Sequence, residues 1–301
     1  MKLVEVVVTR GHPDVVDAHI AYHLNAGVDF VIATDPGTGA ENTEILESYV
    51  REGCLRRIPA EGGTHEAERR TRMARLAASE DAADWIINSD ADEFWWPRGE
   101  SLKDVLAPIP PRYTVVQGLR RSFSAGAAAA GHFSERMTAR RSLQNGAHSV
   151  TSVLRPVHRA DPNIVVQADG TLTLGRNVPL RAWYPIEVLH FPAAASEDEP
   201  GSLVVDTRLR DALRVLREAA GGSETPVFAL PSHGVSHLSF QTPDVVDDAA
   251  YAVECAAVGE VDLPRLEQYV TELEERVRWL EQRLWPRVLR AASRLVGRGG
   301  R

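Results

Sequence analysis

The first 90 residues alternate between short apolar runs and longer segments in which apolar residues recur every three or four positions. Such runs predict buried strands, and the longer segments predict amphipathic helices. The predicted strands cover residues 3–9, 30–34, 54–58 and 85–89, and the predicted helices lie between residues 14 and 27 and over 41–51 and 66–78. Alternating strands and helices are typical of a parallel sheet flanked by helices. We therefore expect an α/β fold with a Rossmann-like, mostly parallel sheet.

Beyond residue 112 the pattern is less regular. Short β-like runs cover residues 113–118, 149–155, 164–166 and 182–192, separated by Gly and Pro breaks. A polar, acidic loop is expected at 193–201 and a helix at 203–220. We interpret residues 1–112 and 113–250 as two halves of one domain, the second half being α+β.

A heptad-like pattern occupies the C-terminal segment, residues 260–301. Its apolar positions alternate steps of four and three: Leu266, Val270, Leu273, Val277, Leu280 and Leu284. Pro286 should break or kink this helix, and arginines flank the apolar face that follows. Three interpretations stay open: a coiled-coil homodimer, a basic amphipathic tail on anionic lipid, and a helix packed on its own domain.

Composition narrows the class of protein. The chain has 301 residues, a net charge of −8, 44% hydrophobic residues and only two cysteines, Cys54 and Cys255. These values indicate a globular protein without a disulfide framework, and they disfavour a general nucleic-acid binder. No signal peptide or membrane-spanning run is apparent, so we expect a cytoplasmic protein, with the basic tail as a candidate contact to the inner membrane face.

The clearest candidate for chemistry is an acidic cluster that ends the fourth predicted strand. Asp90, Asp92 and Glu93 directly follow the apolar run 85–87. Ligands of open α/β sheets bind beyond the carboxyl ends of the strands, and Mg²⁺ or Mn²⁺ prefers oxygen ligands and often shares its coordination with substrate phosphates. The cluster therefore suggests a metal and diphosphate site, although acids that cap a turn produce the same pattern.

Four segments together resemble glycosyltransferases of the family 2-like branch with the GT-A fold, close to the family 92-like group. They are Ala-Tyr-His-Leu-Asn-Ala-Gly-Val-Asp at 21–29, Asp-Pro-Gly-Thr-Gly at 35–39, Asn-Ser-Asp-Ala-Asp-Glu-Phe at 88–94 and His-Phe-Pro at 190–192. The resemblance covers about residues 3 to 192. It implies that residues 1–112 bind a nucleotide-sugar donor and that residues 113–250 form the acceptor side.

The resemblance also implies roles for individual residues. The nucleotide-sugar pocket would be lined by Thr9, Arg10, Asp35, Arg72, Asp90 and Glu93. The metal, Mn²⁺ or Mg²⁺, would be bound by Asp90, Asp92 and His190. Arg69 and Arg72 could reach phosphate, although solvated arginines on a helix surface are the more common case.

The implied activity is metal-dependent, inverting transfer of a sugar from a nucleotide-diphosphate sugar, a UDP-sugar in particular, to an acceptor hydroxyl. Such a transfer needs a carboxylate that takes the proton of the hydroxyl. Glu187 and Glu135 are the candidates, with Asp198 third. Two alternatives stay open: a metal-dependent phosphohydrolase that uses the same acids, and a catalytically silent module that recruits partners or membrane through the C-terminal helix.

Overall fold

The computed structural model describes residues 1–35, 37, 39–60, 64–124, 131–141, 154–173, 184–192, 203–221, 228–231, 238 and 240. All of these residues belong to one compact unit that spans residues 1–256. The predicted C-terminal helix and its heptads lie outside the described residues.

The N-terminal half alternates strands and helices. Its elements are β1 (Leu3–Val8), α1 (Pro13–Asn25), β2 (Phe30–Asp35), α2 (Ala40–Arg51), β3 (Leu55–Pro59), α3 (Glu66–Ser79) and β4 (Trp85–Asp90). The four strands are parallel and lie in the order β4, β1, β2, β3. Because β1 is fully buried and apolar apart from one glutamate, it occupies the centre of this parallel sheet.

The described chain from residue 93 onward extends the sheet with mostly antiparallel pairings. Its elements are β5 (Glu93–Pro97), α4 (Leu102–Leu106), β6 (Val115–Ser124), α5 (Phe133–Arg136), β7 (Ala139–Arg141), β8 (Leu154–Arg159), β9 (Ile186–His190), β10 (Leu203–Val205) and α6 (Arg208–Ala219). Strand β8 joins β4 to β6, and β9 pairs with both β5 and β6. Strands from both halves therefore share one sheet.

Helix α3 covers one face of the parallel strands. Its residues Met73, Ala74 and Ala77 are fully buried against a cluster that includes Val6 and Ile86. The small side chains of Ala74 and Ala77 let the helix approach the sheet closely. The same helix face carries Arg70 one turn before Met73, and this position directs an arginine toward the end of β4.

The predicted α/β class, with a parallel sheet flanked by helices, is confirmed, and the elements of the first half match the prediction to within two residues. Two local predictions were wrong, and several short elements, including α4, α5 and β7, were not predicted. Strand β5 was not predicted, residues 164–166 form only an isolated bridge between Val166 and Leu172, and residues 203–205 form a strand instead of the start of α6. Within the described part of the chain, no helix is long and apolar enough to span a bilayer.

Candidate functional site

The register of the parallel strands brings three predicted site residues to one edge of the sheet. Val8 of β1 is paired with Thr34 on one side and with Asp90 on the other. Thr9 and Asp35 each follow this row by one position. Because the carboxyl ends of these strands coincide, a cleft for a ligand is expected at this edge.

Thr9 and Asp35 help to shape this edge. The backbone N–H and the hydroxyl of Thr9 donate to the Thr34 carbonyl oxygen at 3.0 and 3.1 Å, which ties the ends of β1 and β2 together. The Asp35 carboxylate accepts a hydrogen bond from the Gly37 N–H at 3.0 Å and so forms a turn. Arg10 is about half exposed and donates to Glu66 of α3 at 2.5 Å.

Asp90 is paired with a buried arginine that the sequence reasoning missed. The Arg70 guanidinium donates to the carboxylates of Asp90 and Glu66, at 2.5 and 2.9 Å, and to the Ser89 carbonyl oxygen at 3.3 Å. Burial raises the pKa of Asp90, and the nearby Glu93 and Asp92 carboxylates act in the same direction, whereas Arg70 opposes them. Arg70 thus holds Asp90 in place and offers a cation at the strand end.

Asp92, in the turn between β4 and β5, lies close to His190 at the end of β9. The Asp92 Oδ2 atom lies 3.4 Å from His190 Nε2, and the Phe191 N–H donates to the Asp92 carbonyl oxygen at 2.8 Å. Although burial acts to raise it, hydrogen bonding and charge from His190, together with Arg120, hold the pKa of Asp92 below its usual value. Asp92 is therefore an ionised carboxylate that remains partly accessible.

Glu93 is buried and lies close to two further arginines. Its Oε1 atom accepts from Arg155 Nε at 2.8 Å and lies 3.7 Å from Arg120 Nε. Arg120 Nη2 in turn lies 2.7 Å from His190 Nε2. The strand registers Glu93↔His190 and Ser122↔His190 place His190, Arg120 and Glu93 on the same face of the sheet.

The site therefore combines acidic and basic side chains from separate elements. Three carboxylates meet three guanidinium groups and one imidazole: Asp90, Asp92, Glu93, Arg70, Arg120, Arg155 and His190. The partly buried guanidinium groups of Arg120 and Arg155 suit phosphate oxygens because they donate hydrogen bonds in a fixed fork, whereas Arg70 is fully buried against Asp90. Several cations at the end of a parallel strand are chemically suited to a diphosphate.

Asp92 and His190 are spaced as two ligands of a divalent cation can be. Metal–oxygen or metal–nitrogen bonds of about 2.1 Å at right angles place two ligand atoms about 3 Å apart, and the 3.4 Å between Asp92 and His190 is close to this spacing. Asp90, in contrast, already binds Arg70. The residues thus fit a cation that is held by Asp92 and His190 and completed by substrate oxygens.

Glu187 lies on the opposite face of the sheet from His190. Its carboxylate is buried and paired with Arg121 at 3.0 Å, with Arg98 at 3.6 Å and with Arg208. Although burial acts to raise it, these guanidinium groups hold the pKa of Glu187 well below its usual range. This environment favours an ion-pair centre and argues against Glu187 as the group that accepts a proton.

The remaining predicted residues are placed less centrally. Glu135 is exposed on α5, whose neighbouring Phe133 packs on Phe191 with ring centroids 5.5 Å apart. Arg72 is exposed on α3, and Arg69 donates to the Thr64 carbonyl oxygen at 3.2 Å. Asp198 lies outside the described residues.

Arg120 and Arg155 could have been found from the sequence by one signal. Arg120 follows the apolar Leu119 and Arg155 follows the apolar Leu154 within strands, and a charged residue within a buried strand needs a partner or a ligand. Arg70 carried a similar signal, since it shares the helical face of Met73, Ala74 and Ala77, whereas Arg69 and Arg72 do not. The face of the helix on which each arginine lies therefore distinguishes Arg70 from Arg69 and Arg72.

The fold of this chain is similar to that of known structures over part of its length. The chain is similar to the crystal structure of S. aureus TarS 1–349 in complex with UDP, with 16% identity and a TM-score of 0.37, over 56% of this chain and 51% of that one. A second structure of TarS 1–349 matches with 14% identity and a TM-score of 0.37, over 73% of this chain and 65% of that one. The chain thus spans half to two thirds of TarS 1–349. No protein-family model matches, and no curated protein matches in sequence.

Proposed function

We propose that the protein transfers a sugar from a nucleotide-diphosphate sugar, a UDP-sugar in particular, to an acceptor hydroxyl. The observation that carries this proposal is the convergence of Asp92, His190 and three arginines at the carboxyl end of β4. Carboxylate and imidazole ligands suit a cation, and guanidinium groups suit phosphate oxygens. A site with both is suited to a diphosphate leaving group.

The cation in this proposal is Mn²⁺ or Mg²⁺, and Asp92 and His190 would hold it. When bound, such a cation acts as a Lewis acid that stabilises negative charge on a phosphoryl oxygen. His190 can bind a cation only through an unprotonated ring nitrogen, so Arg120, which now lies against that ring, would have to move aside.

Arg120 and Arg155 are suited to hold the diphosphate. Both face Glu93, which keeps them extended and close together before a donor binds. Phosphate oxygens can accept hydrogen bonds from the guanidinium N–H groups that do not point at Glu93. Guanidinium donors of this kind stabilise the negative charge that develops on the leaving group.

The transfer itself is a single displacement. The acceptor oxygen forms a bond to the anomeric carbon, the bond from that carbon to the diphosphate oxygen breaks, and its electron pair stays on the diphosphate. The proton of the acceptor hydroxyl passes to a carboxylate, for which Glu135 and Asp198 remain the candidates. Direct displacement inverts the anomeric centre.

The proposal is tested by calorimetric titration of UDP, GDP and ADP, each with and without Mn²⁺, into the wild type and the variant Asp92→Ala. We expect binding of one nucleotide, UDP, that depends on Mn²⁺ and is lost in Asp92→Ala. The matched control is Asp211→Ala, which removes a partly exposed, arginine-paired carboxylate on α6 and should bind as the wild type does. A folded wild type that binds none of the three nucleotides would contradict the proposal.

A further inference from the structure

A second group of ionisable residues lies beneath the acidic motif. Glu5 of β1 and His19 and His23 of α1 have no exposed surface. Glu5 Oε1 lies 2.9 Å from His19 Nε2 and 3.4 Å from His23 Nδ1. Three ionisable groups in the core cost free energy unless they are hydrogen-bonded, so this cluster requires an explanation.

A metal ion is one explanation, since two histidines four residues apart on a helix and a carboxylate can form a metal site. The hydrogen bonding of His23 argues against it. The Trp95 N–H donates to His23 Nε2 at 3.0 Å, so this nitrogen is unprotonated. A neutral imidazole then carries its proton on Nδ1, which faces Glu5 and the His19 carbonyl oxygen and cannot also bind a metal.

The pKa values agree with a neutral pair of imidazoles. Burial lowers the pKa of both His19 and His23 to about 3 and raises the pKa of Glu5 to about 7. The Asp92 and Glu93 carboxylates are near enough to act on His19, which shows how close the cluster lies to the acidic motif.

The cluster is connected to the motif through Trp95. His23 accepts the backbone N–H of Trp95, and the indole N–H of Trp95 donates to Ser89 Oγ at 3.2 Å. The Ser89 hydroxyl faces the carbonyl oxygens of Asp90 and Glu93, at 3.1 and 3.3 Å. The turn that carries Asp90 and Asp92 is therefore held at both of its ends.

We infer that Glu5, which is hydrogen-bonded to His19 and lies against His23, is a positioning residue that acts through His23, Trp95 and Ser89 to set the backbone of the acidic motif for binding of the donor and its cation. The inference rests on the proposed function for the ligand, a nucleoside diphosphate with Mn²⁺. Glu5 touches neither of them. Outer partners that orient ligand-bearing groups commonly change metal affinity by about 10- to 100-fold when they are removed.

The test compares variants along this path. Glu5→Leu removes the hydrogen-bond acceptor at nearly constant volume, Glu5→Gln keeps an acceptor, and Ser89→Ala breaks the path at the motif. The control Tyr49→Phe removes another buried hydrogen bond of α1, from the Tyr49 hydroxyl to Asp17 at 2.6 Å, away from the motif. Two quantities are measured: UDP affinity with Mn²⁺ by calorimetry, and the NMR shift of the Trp95 indole N–H, assigned by Trp95→Phe.

We expect Glu5→Leu and Ser89→Ala to weaken UDP binding by about 10-fold or more and to shift the Trp95 indole signal. Glu5→Gln should restore most of the affinity, and Tyr49→Phe should change neither quantity. Ser89→Ala carries the test alone if Glu5→Leu does not fold.

Two results would overturn the inference. The first is wild-type affinity and an unshifted Trp95 signal in folded Glu5→Leu and Ser89→Ala. The second is one equivalent of tightly bound zinc or iron in the purified wild type that His23→Gln removes, because the cluster would then be a metal site. If the wild type itself binds no nucleotide, the proposed function fails, and the Trp95 signal alone decides the inference.

Discussion

Arginines do most of the electrostatic work at the candidate site. Arg70, Arg120 and Arg155 each approach a carboxylate of the acidic motif, and each arrives from a different element. Arginine suits this position because its guanidinium stays charged when partly buried and donates in several directions. The carboxylates thus hold these cations at one end of the sheet.

Glu187 provides the sharpest prediction at the scale of one residue. Its buried carboxylate is paired with Arg121, Arg98 and Arg208, so removing it breaks a buried ion-pair network. We expect Glu187→Leu to lower the free energy of unfolding by about 3–5 kcal/mol in a denaturant titration. The exposed control Glu135→Ala should change it by less than about 0.5 kcal/mol. Unchanged stability in Glu187→Leu with loss of transfer would instead support a catalytic base.

The acids could be predicted from the sequence, and their partners could not. Asp90 and Asp92 end an apolar run, so their position at a strand end follows from the chain itself. The pairing of Asp92 with His190 depends on β5 and β9, which are separated by almost 90 residues. Contacts of this kind depend on the register between strands, and the hydrophobic pattern of a single strand does not reveal that register.

At the scale of elements, the central pair is β6 and β9. Gly118 of β6 lies between Val188 of β9 and the Trp95 ring, and a Cβ at this position would come within 2.9 Å of Val188 Cγ2 and 3.3 Å of Trp95 Cζ3. The absence of a side chain thus lets Trp95 pack closely against the strand that carries Arg120.

We therefore expect Gly118→Ala to destabilise the fold by about 1–3 kcal/mol in thermal or denaturant unfolding, because the tightly packed strands must shift. Gly99→Ala is the matched control, since its Cβ would meet Val105 at an ordinary 3.6 Å. Equal stability of the two variants would show that the packing around Gly118 is looser than described.

Strand β5 shows why some elements escaped the sequence pattern. Its residues Phe94, Trp95 and Trp96 are all buried, so no alternation of apolar and polar positions marks it. The helix prediction for residues 203–205 was wrong for a different reason. Their apolar side chains continue the pattern of α6, but they pair with β7 at the edge of the sheet.

At the scale of the whole molecule, buried histidines set the response to acid. Burial lowers the pKa of His19 and His23 to about 3 and that of His158 to about 4, so the folded protein keeps all three neutral. The unfolded chain binds protons at these residues below about pH 6.5. Glu5, with its pKa raised to about 7, acts in the opposite direction.

The unfolded state thus binds more protons than the folded state between pH 6.5 and 5.5, and stability falls as the pH falls. Each net proton is worth about 1.4 kcal/mol per pH unit, so we expect a loss of roughly 2 kcal/mol over this range in urea titrations. Glu5→Gln, which removes the opposing proton uptake, should steepen the loss. A free energy of unfolding that is constant from pH 6.5 to 5.5 would contradict the neutral cluster.

The central claim, that this site binds a nucleoside diphosphate, is tested most directly by a crystal structure of the protein grown with UDP and Mn²⁺. We expect Mn²⁺ between Asp92 and His190, with phosphate oxygens on Arg120 and Arg155. Nucleotide bound elsewhere on the chain, or an Mn²⁺ ion that contacts neither Asp92 nor His190, would contradict it.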